Sequence, residues 1–313
     1  MIINSVIAQG GIQPSGTKSI TANGVYDVTN YASADVQVPT TVPAYYIEKS
    51  VDANGVLKNG AKITTFTGVK DLSDYVLSYA FYKSVFPANT TIDMSDLTTI
   101  SNGYCAEHCF QAHPNISTNN GITSVDLSSL TTISGAGACQ RMFAYCSGIT
   151  SVDLSSLTTI SGASSCGGMF ANCTSLTNMN LNSLETISGN NSVNGMFANC
   201  SNLISVSFNK LNVLSASLGS SSSALFSSCG KLESVSFGGL TASTFASKTD
   251  QFAYLFNNTT GSTATGGCTV HFPSNFDPSD PNHTFDASTL GGYPTFGGSA
   301  SYIHVAFDLT ATE

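Results

Sequence analysis

The sequence predicts a repeat solenoid: a parallel β-sheet with short helices or turns, flanked by a small N-terminal β module and a C-terminal β cap. Three observations support this prediction. A segment of 27 to 30 residues recurs along the chain, polar and apolar residues alternate within it, and Ser, Thr and Asn supply 107 of the 313 residues. Because a unit this short cannot bury both of its faces, neighbouring units must stack.

The first 45 residues differ from the rest and predict the β module. Asn23-Gly24, between TKSITA and VYDV, is a strong hairpin signal, and DVTNYASADVQV predicts another alternating strand. The opening residues MIINSVIAQGG lack the basic flank and the long apolar core of a secretory signal. We therefore expect either that the chain is not exported by this route or that a signal has been removed. YYIEKSVDANGVLKNG predicts a linker and a further hairpin.

Residues 46–276 hold the predicted solenoid and its N-terminal cap, with about seven units. The segment L/I-x-x-V-x-L predicts a short, half-buried strand, and the stretch Met-Phe-Ala-x-Cys predicts a short helix or helical turn. We expect each strand to pair with its counterpart in the next unit, and each anchoring Phe to pack on the next. The seven anchors, spaced by 29, 33, 27, 27, 29 and 30 residues, are Phe81, Phe110, Phe143, Phe170, Phe197, Phe226 and Phe256.

The repeat resembles a known family. The pattern F-x-x-C-x-x-L-x-x-V-x-L-x-x-L-x-x-I is similar to the BspA-like leucine-rich repeats of bacterial surface proteins, and MFANCTSLTNMNLNSL (169–184) is similar to the related repeats of lipoprotein-like surface proteins. The resemblance implies a right-handed leucine-rich-repeat solenoid with a role in adhesion or recognition. The resemblance does not identify a ligand, because such repeats are scaffolds for many different binding surfaces.

Four of the nine cysteines form one column, three residues after successive anchors. A column of thiols could serve as a metal or redox ladder, or its small side chains could fill the core. We favour the core, because Ser84 and Thr259 replace cysteine at the two ends. The predicted structural core therefore comprises Phe110, Phe143, Phe170, Phe197, Phe226, Cys146, Cys173, Cys200 and Cys229.

One cluster has the composition of a zinc site. Thiolate and imidazole ligands four residues apart on one helical face could share a metal ion, and the candidates are Cys105, His108, Cys109 and His113. Alignment of the repeats argues against this interpretation, because Cys109 takes the position of Met142 and His113 falls in the cysteine column. We therefore expect no metal site and no cofactor.

Polar residues form columns on the solvent side of the sheet. Asp93, Asp126 and Asp153 are predicted to lie on adjacent strands, either as a weak divalent-cation site or as a solvated acidic patch, and we favour the patch. Asn180 continues this column and Asn182 belongs to the next one. Since the face has no aromatic residue, a glycan ligand would be sought at the ends or loops.

Residues 277–313 form the predicted C-terminal cap, with CTVHF (268–272) and SYIHVAFDL (301–309) as final strands. Its loop residues Tyr293 and Phe296, together with Tyr302, could alternatively form a recognition tip. The insertion near NISTNNG (115–121) is a second candidate binding loop.

Composition argues against several functions. With Arg141 as the single arginine and a formal charge of −9, binding to a phosphate backbone is not expected. No apolar run approaches the roughly 18 residues that indicate a membrane span, and no catalytic motif is present. We therefore expect no nucleic-acid partner, no membrane insertion and no enzymatic activity.

The segment KSITANGVYDVTNYASADVQV (18–38) resembles a β module of phage structural proteins. Together with the repeats, it suggests a virion protein, a head fibre or decoration protein or a tail or baseplate fibre, that is assembled in the host cytoplasm. In this interpretation the N-terminal module binds other virion proteins, and the solenoid contacts a host surface protein or glycan; homo-oligomers are possible. The alternative is a BspA-like adhesin on the bacterial cell surface.

Overall fold

The fold is that of a parallel β-solenoid, seen in a computed structural model of the chain. The residues it describes are 71–72, 77–78, 82–83, 86, 88–114, 120–215, 217–220, 223–240, 255–256, 267–274 and 303–309, with four short N-terminal strands. Within them, five coils contribute a strand to each of two parallel sheets. Three further strands extend one sheet at the C-terminal side.

The first wall of the solenoid is a row of parallel strands. They are β5 (Thr90–Asp93), β7 (Ile122–Asp126), β9 (Ser151–Asp153), β11 (Asn178–Asn180), β13 (Ser205–Ser207), β17 (Ser234–Ser236), β18 (Cys268–Pro273) and β19 (Ile303–Leu309). Strands β5, β7 and β9 pair in that order, β11 lies against β9, and the remaining strands pair onward from β11. Residues one repeat apart are in register, for example Met179 with Val206. The prediction of one strand per repeat, paired with its counterpart, is confirmed.

The second wall is a five-stranded parallel sheet of two-residue strands. These are β6 (Thr99–Ile100), β8 (Thr132–Ile133), β10 (Thr159–Ile160), β12 (Thr186–Ile187) and β14 (Val213–Leu214). The second residue of each strand is buried and the first is not. The sequence does not predict this sheet, because two residues are too few to show a period of two.

The third wall consists of turns. Of the short helix or helical turn that the sequence predicts here, the described residues form no helix. In the coil around Phe143, the residues Gly137, Arg141 and Tyr145 have φ of 61°, 52° and 64°, whereas a right-handed helix needs negative φ throughout. Successive backbone N–H groups in these turns bond alternately within their own coil and to the next coil. The N–H of Met142 bonds within its coil to the Cys139 carbonyl at 3.1 Å, and that of Phe143 bonds to the Met169 carbonyl of the next coil at 2.9 Å.

The core lies between the three walls and contains two columns of stacked phenylalanines. In the first column, Phe110 and Phe143 stack at 5.3 Å and Phe143 and Phe170 at 5.8 Å between ring centroids. The column continues through Phe197 and Phe226 to Phe256. A second column contains Phe208, Phe237, Phe272 and Phe307. The anchor Phe81 lies outside the described residues, and Phe86 packs against Phe110 instead.

The N-terminal strands pair differently from the predicted hairpin. Strand β1 (Lys18–Ser19) pairs in parallel with β3 (Val36–Gln37), and β2 (Val25–Asp27) pairs in parallel with β4 (Tyr46–Glu48). Asn23 and Gly24, the predicted hairpin turn, lie outside the described residues, and the strands on either side of them, β1 and β2, do not pair with each other. Strand β4 begins at Tyr46, directly after the boundary predicted at residue 45.

The two strands predicted near the C-terminus are present as β18 and β19. They pair in parallel with each other, and β18 pairs with β17. Strand β19 therefore continues the first wall by one more strand. Within the described residues, this part of the segment 277–313 is an extension of the solenoid sheet.

Candidate functional site

The candidate site is the outer surface of the first wall, where three columns of short polar side chains run across the strands. Hydrogen bonds connect neighbouring columns and strands. Thr91 Oγ1 lies 2.7 Å from Ser124 Oγ, and Ser205 Oγ donates to Asn178 Oδ1 at 2.8 Å. Further along, Ser236 Oγ donates to Asn209 Oδ1 at 3.2 Å. We call this surface the polar strand face.

The carboxylates of the polar strand face hold the turn that follows each strand. Asp93, Asp126 and Asp153 lie on adjacent strands in register, as the sequence predicts. Oδ1 of each accepts a hydrogen bond from the backbone N–H two residues on, at 3.1, 3.0 and 3.0 Å. Asn180 makes the same bond to the Asn182 N–H at 3.0 Å. Since an amide oxygen replaces the carboxylate here, the position requires an acceptor and not a charge.

An open groove of about 580 Å³ crosses β7, β9 and β11 on this face. Hydroxyl, carboxylate and amide groups line the groove, together with atoms of the apolar residues Val125, Val152 and Leu154. The lining includes no aromatic ring. The residues are Thr91, Ser124, Val125, Asp126, Ser151, Val152, Asp153, Leu154, Ser155 and Asn180. Such a lining offers acceptors and donors at the strand spacing of about 4.8 Å, which suits an extended ligand with regularly spaced polar groups.

The candidate zinc ligands are not brought together. Cys105 and Cys109 are fully buried in the core. His108 contacts Gln111 through Nδ1, and its Nε2 lies 3.7 Å from Glu107 Oε1. Among the described residues, no group of three or more His, Cys, Asp or Glu side chains is arranged to hold a metal ion.

The cysteine column lies inside the solenoid and joins successive coils. Each thiol donates to the carbonyl of the anchoring Phe in the preceding coil: Cys146 to Phe110 at 3.2 Å, Cys173 to Phe143 at 3.3 Å, Cys200 to Phe170 at 3.2 Å and Cys229 to Phe197 at 3.0 Å. Burial raises the pKa of Cys146 and Cys200 to about 12, and raises the pKa of Cys173 and Cys229 well above its ordinary value. Buried thiols that stay protonated are poor nucleophiles.

The third wall carries a second groove, of about 450 Å³, that sequence reasoning missed. It brings together side chains of successive coils, among them Gln111, Arg141, Tyr145, Asn172 and Asn194. Arg141, Tyr145 and Asn172 have positive φ. Asn is enriched at positive φ, but Arg and Tyr are not, so the sequence gives little indication of the turns that form this groove.

The remaining candidate binding residues lie outside the described part of the chain. These are Tyr293, Phe296 and Tyr302 in the predicted tip, and residues 115–119 of the insertion. The described residue that follows the insertion, Asn120, is buried and donates through Nδ2 to the Cys146 sulfur at 3.2 Å.

Comparisons of the chain with protein-family models, curated proteins and solved structures returned no match. No helix among the described residues has both the length and the apolar composition that crossing a bilayer requires.

Proposed function

We propose that the protein is a non-enzymatic recognition scaffold on the surface of a phage virion, and that its polar strand face binds a host surface protein or glycan. The observation that carries this proposal is the polar strand face itself. Short hydroxyl, carboxylate and amide side chains repeat in register along the first wall, and a groove crosses them at β7, β9 and β11.

The polar strand face has the properties of a preorganised binding surface. Its Ser, Thr, Asp and Asn side chains are short, and many are held by hydrogen bonds to neighbours or to the following turn. Ordering such side chains on binding costs little conformational entropy compared with long Lys or Arg side chains. The proposal includes no cofactor and no metal.

Two sequence resemblances support the remaining parts of the proposal. The segment 18–38 resembles a β module of phage structural proteins, which favours attachment to a particle through the N-terminal part. The Met-Phe-Ala-x-Cys repeats resemble BspA-like leucine-rich repeats, which favour adhesion. The same repeats favour the second candidate, a bacterial cell-surface adhesin of this kind.

Binding through the groove is tested by placing a bulky side chain in it. Ser151 is exposed at the first position of β9 and lines the groove, so Ser151→Arg should reduce binding of the labelled protein to host cells or to an arrayed glycan at least tenfold. The matched control is Ser215→Arg, because Ser215 is exposed just after β14, on the second wall. Equal binding by both variants and the unaltered protein would exclude the groove.

Location on a virion is tested separately by cryo-electron microscopy of particles. The proposal expects density for the solenoid on the particle surface, and expects deletion of residues 1–45 to abolish incorporation. Labelling of intact bacterial cells by an antibody to the protein, without labelling of particles, would favour the bacterial adhesin.

A further inference from the structure

We infer that two copies of this chain associate through β19, in antiparallel orientation about a two-fold axis at Ala306, so that the first wall continues from one molecule into the other. Strand β19 is the last strand of the first wall, and among the described residues it pairs only with β18. A strand paired on one side presents unpaired N–H and C=O groups to a further strand.

Within the part of the chain that the structure describes, the core at this end of the solenoid is also incompletely covered. Phe208, Phe237 and Phe272 of the second aromatic column are buried. Phe307, which stacks on Phe272 at 6.1 Å, is only partly buried. Leu309 of the same strand is also partly exposed. Another layer of apolar side chains beyond β19 would complete this burial and add stability.

The sequence of β19, IHVAFDL, is complementary to itself in one antiparallel register. With Ala306 opposite Ala306 of the second copy, His304 lies opposite Asp308, Val305 opposite Phe307, and Ile303 opposite Leu309. In this register each apolar residue is opposite an apolar residue, and each histidine is opposite a carboxylate. A shift by one residue would place Phe307 opposite His304 and break this match.

The outer side chains have the exposure that this pairing requires. His304 and Asp308 are both exposed. Both carboxylate oxygens of Asp308 lie 2.9 Å from His271 Nδ1 of the neighbouring strand β18. That bond fixes the carboxylate on the outer side of the sheet, and its remaining lone pairs can accept a hydrogen bond from His304 of the second copy. In a two-fold arrangement this contact occurs twice.

Crosslinking at the two-fold axis tests the register directly. Residues directly opposite in an antiparallel pair have Cα atoms about 4.5–5.5 Å apart, within the range of a disulfide. All nine native cysteines are buried, so Ala306→Cys adds a thiol at the surface. Copper phenanthroline should oxidise two such thiols, with loss of two protons and two electrons, to a covalent dimer on a non-reducing gel. Ser207→Cys, at the equivalent position of β13 within the sheet, should remain monomeric on that gel.

Charge reversal tests the pairing without a covalent bond. His304→Asp places two carboxylates opposite each other at both ends of the contact and should shift the mass measured by light scattering from dimer to monomer. The double variant His304→Asp with Asp308→Lys restores opposite charges and should restore the dimer. The control Ser207→Asp adds a carboxylate to the same face, in the column that holds Asp126 and Asp153, and should remain dimeric.

The inference is overturned by any of three results. These are an unaltered protein that is monomeric at 100 μM, a dimer that His304→Asp leaves intact, or equal crosslinking of the Ala306→Cys and Ser207→Cys variants. None of these results bears on ligand binding in the groove.

Discussion

Phe170 shows how one residue of the repeat stabilises the solenoid. Its ring is fully buried and stacks between Phe143 at 5.8 Å and Phe197 at 6.0 Å, with interplanar angles of 3° and 8°. Its carbonyl accepts the hydrogen bonds of the Cys173 N–H and of the Cys200 thiol. The ring therefore contributes packing to three coils, and the backbone of the same residue joins two.

We expect Phe170→Ala to lower the free energy of unfolding by about 3–5 kcal/mol, because the neighbouring rings on both sides prevent the cavity from closing. Urea unfolding followed by circular dichroism measures this loss. Asp153→Ala is the control: its side chain is exposed and bonds only one turn N–H, so its cost should be about 1 kcal/mol or less. Equal effects of the two substitutions would contradict the assignment of buried and exposed columns.

The sequence predicted the residue columns well because they obey a short period. Alternation in the strands identified the side chains that face water, and the recurrence of Phe and Cys identified buried positions such as Phe143 and Cys173. The hydrogen bond that the Ser128 N–H donates to Asp126 Oδ1 could not be predicted in the same way, since Asp is equally common on solvated faces. Its role became clear only from the turn geometry.

At the scale of the element, the third wall differs most from expectation. A helix forms its hydrogen bonds within its own segment, but here every second N–H, such as those of Cys139 and Phe143, bonds to the next coil. The stretch Met-Phe-Ala-x-Cys suits a helix by composition. Stacking overrides that preference, because only an open turn exposes N–H groups to the neighbouring coil at the strand spacing.

Glycines at the corner between the second and third walls allow the coils to approach each other. A Cβ atom at Gly162 would collide with the Gly135 carbonyl of the preceding coil, and one at Gly189 would collide with the Gly162 carbonyl. Gly230, in contrast, has open space where its Cβ would lie. The spacing of the coils at this corner therefore depends on the absence of a side chain.

We expect Gly162→Ala to destabilise the protein by about 1–3 kcal/mol, since backbone on both coils must move to admit the methyl group. Thermal unfolding by differential scanning calorimetry should show a clearly lower Tm. Gly230→Ala is the matched control and should be neutral or slightly stabilising. A Gly162→Ala variant as stable as the Gly230→Ala variant would mean that the coils are spaced more widely than the structure shows.

At the scale of the whole molecule, the buried thiols make the free energy of unfolding fall as pH rises above about 9. Burial raises the pKa of Cys146, Cys166, Cys200 and Cys268 to about 12. Below about pH 9, thiols are protonated in both the folded and the unfolded chain, so they add no pH dependence. Between about pH 9 and 12 the unfolded chain loses protons that the folded chain retains, and stability falls as pH rises.

We therefore expect the free energy of unfolding to be nearly constant from pH 7 to 8 and to decrease above about pH 9, measured by urea titration in the presence of a reductant. Cys200→Ser removes one titrating thiol and should reduce the slope by up to about 1.4 kcal/mol per pH unit. An unchanged slope in this variant would show that Cys200 does not retain its proton in the folded state.

The register of the coils also determines how the solenoid would respond to tension. Counterparts such as Asn178 and Ser205 lie side by side on adjacent strands, and each coil is bonded mainly to its two neighbours. A pull on the two ends of the stack is transmitted through every coil, but a terminal coil has a neighbouring coil on one side only and is therefore expected to peel away first. Each released coil of about 27 residues would add about 90 Å of extended chain. The coils would fail one after another, so the stack could lengthen under shear and still keep its remaining coils folded.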